Sequence, residues 1–444
     1  IGGFVRDILL NRNIDKNDID IVTVGSSEKL ATLVNRKLKI KNKVSIFKKF
    51  GTAMINYKST NIEFVSSRKE SYKINSRNPK VTKGSIIDDH KRRDFTINSI
   101  SIQLNSNFFG NLLDPFNGID DLKNKIIKTP LDPSITYKDD PLRILRAIRF
   151  ACELGFEINQ SSMAAIKLNS KRIEIISKER IINELNKIIL SETPSRGFFL
   201  LDDLEILKIL FPELIELKGV EEIFGQRHKD NFNHTLEVLD NISKLTDNLW
   251  LRWAALLHDI GKSKTKKFVK KIGWTFHGHE YVGSKMVYEI FKRFKLPLNG
   301  KMRYVKKIVY LSSRPISLTE DNTTDSAIRR LLYDAGNDIE DLITLCEADI
   351  TTKNINKLKL YRENFKTLRI KIEEVENRDK LRNFQPPITG EHIMNYFKIK
   401  PCREIGIIKE KIKNAILDGK IPNEFSHAKK MMILLGNDLD LWVI

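Results

Sequence analysis

Over roughly the first 128 positions, apolar and polar residues alternate in short runs. The runs are "DIDIVTV" (18–24), "VSIFKKF" (44–50), "TAMINY" (52–57), "NIEFVSS" (61–67) and "INSISIQL" (97–104). A two-residue period is that of a half-buried strand, and the spacing over 27–38 predicts a helix between the first two strands. This region reads as α+β with a mixed sheet. From "DDPLRILRAIRFACELGF" (139–156) onward, apolar residues recur at helical spacing and strand signals nearly vanish. There, Leu142, Leu145, Ile148 and Phe150 set against Arg143, Arg146 and Arg149 predict an amphipathic helix with a basic face. The remainder reads as all-α, punctuated at Pro194, Pro212, Pro297, Pro315 and "QPPITG" (385–390), with a mixed-charge helix over 353–382.

At 444 residues the chain is too long for one ordinary core, and two to four domains are expected. Lys and Arg number 77 against 57 Asp and Glu, a formal charge of +20. Such a surplus points to a polyanionic partner, most simply nucleic acid. No apolar run is long enough to span a membrane. Cys152, Cys346 and Cys402 are far apart and odd in number, as reduced thiols of a cytoplasmic protein would be. The chain opens at Ile1 inside a motif, so a short N-terminal piece is expected to precede it, and a targeting signal there stays open.

Candidate chemistry begins in "GGFVRDILLNRNIDKNDIDIVTVGS" (2–26). Strand alternation puts Asp18 and Asp20 on one face and the isoleucines on the other. Two like charges there are costly unless a cation lies between them. Nucleotidyl transfer needs divalent cations that bridge the attacking hydroxyl, the α-phosphate and the departing pyrophosphate. Carboxylates on a rigid strand supply hard oxygen ligands for them, and Glu63 is the candidate third acid from a neighbouring strand. Gly2 and Gly3 would let backbone approach a triphosphate, and Arg6 could meet its charge. In "KRRDFTINSI" (91–100), Arg92 and Arg93 suit phosphate oxygens, while Asp94 and Asn98 suit ribose hydroxyls. In "DDPLR", Asp140 and Arg143 lie three apart on a helix that Pro141 can start. Cytosine and adenine both present an amino donor beside a ring-nitrogen acceptor, which a carboxylate and a guanidinium complement. Uracil and guanine present a carbonyl where that amino group should be. The pair could therefore accept CTP and ATP, or be an ordinary surface ion pair.

"GGFVRD" with "DID", "RRDFTIN", "LLDPFNGIDDL", "DDPLRILRAIRFA" and "KERIINELNKIIL" stand in the order found in bacterial tRNA nucleotidyltransferases. The chain resembles that family, the class of CCA-adding enzymes and their poly(A) polymerase relatives, over residues 1–220. The resemblance implies that Asp18 and Asp20 bind catalytic Mg2+. It also implies that Arg92, Arg93, Asp94 and Asn98 hold triphosphate and ribose. Asp140 and Arg143 then read the base, with Arg146 and Arg149 on the same nucleotide-binding helix, and Arg180 and Glu184 brace the neck. The family often has Glu-Asp where Asp139-Asp140 stand here. Residues 68–91 fill the place of the flexible loop that the family links to adding the terminal A.

Five of the eight histidines fall within 228–279, in "FNHTLEVL", "LLHDIGK" and "FHGHEYVG". Imidazoles with carboxylates suit Mn, Ni, Fe or Zn better than Mg. His-Asp-Ile-Gly-Lys resembles the HD metal-dependent phosphohydrolases. That resemblance implies His234, His258, Asp259 and Asp349 as ligands, His279 as a further one and His277 less so, and Lys262 as a phosphate contact.

The expected architecture is thus a nucleotidyltransferase head (1–128), a helical neck (129–220), an HD domain (221–355) and a helical, tRNA-binding tail (356–444). The expected function is CCA addition to tRNA 3′ ends from CTP and ATP. The alternatives are a poly(A) polymerase, or an HD phosphohydrolase whose head only tethers RNA.

Overall fold

The computed structural model describes the chain except residues 13–17, 48–50, 59, 74–75, 224–225, 228–229, 320–322, 380–381, 383 and 442–444. At 72–73, 76–78 and 226–227 it describes backbone alone. The chain divides into two compact units, Ile1–Ile215 and Glu216–Ile444.

The first unit opens with helix α1 (Gly3–Leu9), strand β1 (Asp18–Thr23), helix α2 (Ser27–Lys37) and strands β2 (Ser45–Phe47), β3 (Thr52–Tyr57) and β4 (Thr60–Ser66). The sheet order is β1-β4-β3-β2, with β1 parallel to β4 and the other pairs antiparallel. A parallel pair needs a long crossover, which α2 and the β2–β3 hairpin provide. Helix α2 starts where the Ser26 side chain accepts from Lys29 N at 3.2 Å. Its Ala31 packs with Ala53, Ile55 and Phe64, and Leu30 and Val34 join Ile21 and Ile62 at the margin of that cluster. Ile21 therefore faces the core, and alternation turns Asp18 and Asp20 to the opposite face.

Three sequence expectations change in this unit. Residues 68–91 are not a loop: Arg68–Lys73 pairs antiparallel with Ser76–Lys83, followed by helix Ile86–Lys91. Ser85 caps that helix in a reciprocal exchange with Asp88. The "INSISIQL" run keeps only Ser101–Ile102 as strand, while Thr96–Asn98 turns as 3-10 helix. Polar side chains explain this: Asn98 and Thr96 are drawn into buried and half-buried hydrogen bonds that a straight strand could not reach. The basic helix runs Leu142–Leu154 and ends on Gly155 at φ 69°. Asp140 lies outside it, extended at φ −132°, because the residue before a proline is pushed out of the helical region.

The second unit is almost wholly helical. Helices Asn231–Ser243, Leu249–Leu257, His279–Phe294, Gly300–Leu311 and Ile339–Ala348 enclose Leu236, Trp253, Leu256, Phe291, Ile308 and Ile343, all buried. The mixed-charge helix spans Ile355–Asp379 and buries Phe365, Leu368, Ile372 and Val375. Helices Gly390–Phe397, Arg403–Leu417 and Phe425–Asn437 follow. No helix among the described residues is long and apolar enough to cross a membrane.

Candidate active sites

In the first unit, β1 and β4 run in a register that sets Asp20 beside Glu63 and Asp18 beside Asn61. Asn61 Nδ2 donates to Asp18 Oδ1 at 3.3 Å. Burial, then the neighbouring Asp20 charge, pushes the Glu63 carboxyl above its ordinary range. Carboxylates crowded in this way fit a hard divalent cation, which would relieve the repulsion that they impose on one another. Gly2, at φ 84°, is the N-cap of α1. A Cβ there would lie 2.8 Å from Arg93 Nη1 and 3.5 Å from Asp20 Oδ2, so backbone alone fits between the arginine and the acid.

The arginine pair is held from behind. Asp89, fully buried, accepts from Arg92 Nε at 2.8 Å and lies 3.5 Å from Arg93 Nε. Glu70 of the antiparallel ribbon lies 3.4 Å from Arg92 Nη1. Sequence reasoning missed both. For Asp89 the signal exists, three and four residues ahead of two arginines on a helix. For Glu70 no local signal exists, because its partner lies 22 residues away.

Asp94 and Asn98 sit inside a buried chain of polar contacts. Asn98 Nδ2 donates to Asp94 Oδ1 at 3.1 Å, and Arg146 Nε donates to Asp94 Oδ2 at 2.7 Å. Burial alone would raise the Asp94 carboxyl, but Arg146 and Asn98 hold it well below the usual carboxylate range. Arg6, expected to meet a triphosphate, is itself buried and donates to Asn98 Oδ1 at 2.8 Å and to both oxygens of Asp7. Arg149, expected on the exposed basic face, is buried, pairs with Glu184 at 2.8 Å and covers the Phe150 ring. Arg143 stays half-buried and donates to the Arg92 carbonyl at 2.6 Å, which ties the base-reading candidate to the arginine pair. Asp140 Oδ1 accepts from Leu142 N at 3.2 Å. Gly3 lies beside Arg6, and Arg180 is exposed while Glu184 is buried.

The second unit holds a separate cluster. His234 Nε2 lies 2.8 Å from Asp349 Oδ1, and His258 Nε2 lies 3.4 Å from Asp259 Oδ2. His279 Nε2 is 3.5 Å from Asp259 Oδ1. One ligand atom each from His234, His258 and Asp259 falls within 4.8 Å of the others. The remote ring nitrogens are fixed: His258 Nδ1 bonds Ala255 O at 2.7 Å, His279 Nδ1 bonds Phe276 O at 2.9 Å, and His234 Nδ1 meets Thr351 Oγ1 at 3.0 Å. That leaves the Nε2 atoms turned inward. Burial lowers the His258 pKa, but Asp259 and Asp349 raise it to about 9, so a proton stands where a cation would. His258 is buried, and its Nε2 faces the carboxylates of Asp259 and Asp349 at 3.4 and 3.6 Å, longer than a good hydrogen bond, as atoms that share a metal ion would be. The set therefore fits a divalent metal. Lys262 donates to Asp259 Oδ2 at 2.6 Å. Gly261 permits the close packing here, since a Cβ would lie 2.1 Å from His279 O. His277 is exposed and outside the cluster.

Both units match known families. Residues 1–128 match the family model of the Poly A polymerase head domain, 155–217 that of the "probable RNA and SrmB-binding site of polymerase A", and 231–353 that of the HD domain. An A-adding tRNA nucleotidyltransferase of Deinococcus radiodurans is 32% identical over 270 residues, 59% of this chain and 59% of that protein. The chain thus spans less than two thirds of that relative's length. A multifunctional CCA protein of Shewanella frigidimarina is 33% identical over 309 residues, 67% of this chain and 69% of that protein. The crystal structure of the Bacillus stearothermophilus CCA-adding enzyme in complex with CTP superimposes with a TM-score of 0.67 at 21% identity, covering 99% of this chain and 93% of that one. At that identity the likeness bears on the fold. Two thirds of a relative's length at one third identity carries the assignment, and the chain belongs to the family of tRNA nucleotidyltransferases and poly(A) polymerases, with an HD domain in its second unit.

Proposed function

We propose that the chain completes tRNA 3′ ends by adding C, C and A from CTP and ATP, with release of pyrophosphate. The observation that carries this reading is the Asp20–Glu63 register, with Gly2 between Asp20 and Arg93. A triphosphate lying over Gly2 would meet Arg93 on one side and the carboxylates on the other. Asp18, Asp20 and Glu63 would hold Mg2+, which supplies a lowered pKa for the RNA 3′-hydroxyl and charge neutralisation on the leaving pyrophosphate. Arg92 and Arg93 orient the phosphates, and Asp89 keeps both guanidinium groups from turning away. Asp140 and Arg143 complement the amino and ring-nitrogen edge of cytosine or adenine. Head, neck, HD domain and tail are taken as 1–128, 129–220, 221–355 and 356–444. A basic enzyme serving many tRNAs would hold them by phosphates and shape, so binding should weaken steeply with salt. Free thiols and a tRNA substrate fit a cytoplasmic setting.

Relatives named as A-adding support a second reading, in which only the terminal A is added. One gel separates the readings. A tRNA lacking its CCA end and one ending in CC are each incubated with Mg2+ and CTP, ATP or both. Three added residues on the first support CCA addition. Extension of the second alone, by one A, supports A addition. A long A ladder indicates a poly(A) polymerase, and no extension of either sinks the transferase reading.

The base-reading role carries its own prediction. Arg143→Ala should reduce the preference for CTP and ATP over UTP and GTP by roughly 10–100-fold, the worth of a hydrogen bond to a charged group. Competition assays in single turnover measure it, and an unchanged preference removes Arg143 from that role.

In the HD domain, His234, His258, Asp259 and Asp349, with His279 beside them, would hold Mn, Ni, Fe or Zn, which supplies an activated water for phosphoester hydrolysis. Asp259→Asn should weaken metal retention by more than about 100-fold, beyond what loss of an outer partner costs. Elemental analysis of purified protein and hydrolysis of a 2′,3′-cyclic nucleotide check this, with nucleotide addition unchanged. Wild-type protein that binds none of these metals would disprove the site.

A further inference from the structure

Away from both clusters, the second unit carries an exposed face of basic and aromatic residues. Helix His279–Phe294 turns Gly283, Ser284, Val287, Ile290, Phe291 and Phe294 inward. Its opposite side exposes Tyr281, Lys285, Tyr288 and Lys292. The neighbouring helix Gly300–Leu311 buries Val305, Ile308 and Val309 and exposes Arg303, Lys306 and Tyr310. The two stripes meet where the Tyr281 and Tyr310 rings pack edge to face, 6.5 Å between centroids. Tyr281 is 53% exposed, Tyr310 42% and Tyr288 40%. Cations brace the rings: Lys285 Nζ stands 4.1 Å from the Tyr281 centroid and the Arg314 guanidinium 5.5 Å from that of Tyr310.

Residues 279–317 carry nine Lys and Arg against two Glu, a large share of the chain's surplus of 20. An oily patch for a protein partner would be apolar at its centre and depleted of lysine. This one interleaves lysine with tyrosine. Lysines attract phosphates, and an exposed tyrosine offers an aromatic surface on which an unpaired base can stack. A duplex would use the lysines alone, since its bases are already stacked. Only an unpaired strand uses both elements.

We propose that the Tyr281–Tyr310 face, with Lys285, Lys306 and Tyr288, is a binding surface for single-stranded RNA. Bases stack on the tyrosines while the lysines follow the backbone, and the contact is independent of sequence. It needs neither nucleotide nor metal, so it stands or falls apart from the transferase reading.

The test uses the full chain in EDTA with a fluorescein-labelled twelve-residue oligouridine, followed by anisotropy. Tyr281→Ala with Tyr310→Ala should weaken binding at least about tenfold, within the range measured for loss of base stacking. Tyr281→Phe with Tyr310→Phe should keep most of the affinity, because stacking needs the ring and not the hydroxyl. Lys285→Ala with Lys306→Ala should flatten the dependence of affinity on salt. Photocrosslinking of a 5-iodouridine oligomer should label Tyr281 or Tyr310. Unchanged affinity in the double alanine variant overturns the proposal, as do crosslinks confined to residues 1–215. Equal losses for single- and double-stranded RNA also overturn it, since they would leave only an electrostatic patch.

Discussion

Asp20→Asn is expected to abolish nucleotide addition, by on the order of 1,000-fold or more, while leaving the metal-free protein close to its original stability. The loss follows because a divalent cation contributes several kcal/mol of charge stabilisation and each 1.36 kcal/mol is a factor of about ten. The stability follows from the carboxylates. In the metal-free protein Asp20 faces Glu63 across parallel strands, and its charge helps to raise the Glu63 pKa. An amide at that position has the same shape and removes this repulsion, which offsets the attraction for Arg93 that it also removes. The pH dependence has a defined sign. A carboxyl whose folded pKa is raised binds more protons when folded, so metal-free wild type should gain stability as pH falls towards the Glu63 range. The variant should gain less, though burial will still contribute. Single-turnover primer extension and thermal melts with and without Mg2+ measure these effects. An active Asp20→Asn enzyme, or one that still melts higher with Mg2+ by the wild-type increment, would remove Asp20 from the metal site.

Asp94→Asn is expected to destabilise the first unit strongly. Asp94 is buried, and its Oδ2 accepts from the Arg146 guanidinium at 2.7 Å. Asparagine can keep the Asn98 contact or face Arg146 with its carbonyl, but it cannot neutralise the arginine. Removing one member of a buried ion pair costs about 3–5 kcal/mol, and the lower end of that range applies here because the Arg146 side chain is 33% exposed. For a unit of about 215 residues this corresponds to a fall in melting temperature of roughly 10 °C. Because the folded Asp94 pKa is held low, its contribution is fully present above the ordinary pKa of a carboxyl. It is lost as pH drops below that value. Acid titration of stability should therefore be steeper below about pH 4 in wild type than in Asp94→Asn. Parallel curves would show that the pair contributes nothing.

Much of the head was legible because strand alternation is a local property. The "DID" run, the α2 helix and the helix after Pro141 all follow from nearest neighbours in sequence. Cap residues, glycines and prolines carry their meaning over a few positions. Where side chains reach across the unit, local reading fails. Arg6 looked like a phosphate ligand, yet it spans 92 residues to hold Asn98. Arg149 looked like part of an exposed basic face, yet it is buried against Glu184. Charged residues at helical spacing look alike whether they face water or an ion pair, and only the packing of another helix separates the two. Residues 68–83 show the converse, since pairing between the two halves of one short segment made a ribbon where the resemblance implied a loop.

By itself, the sequence determined the mixed sheet followed by helices, the carboxylate strand and the excess of positive charge. These rest on periodicity and on residue chemistry, which neighbours along the chain suffice to express. Tertiary structure alone decided which arginines are spent inside and which remain at the surface. It made Asp89 and Glu70 the holders of the Arg92–Arg93 pair, and it joined two tyrosine stripes into one face. Those facts depend on contacts between residues far apart in the chain, where burial sets whether a charge must find a partner.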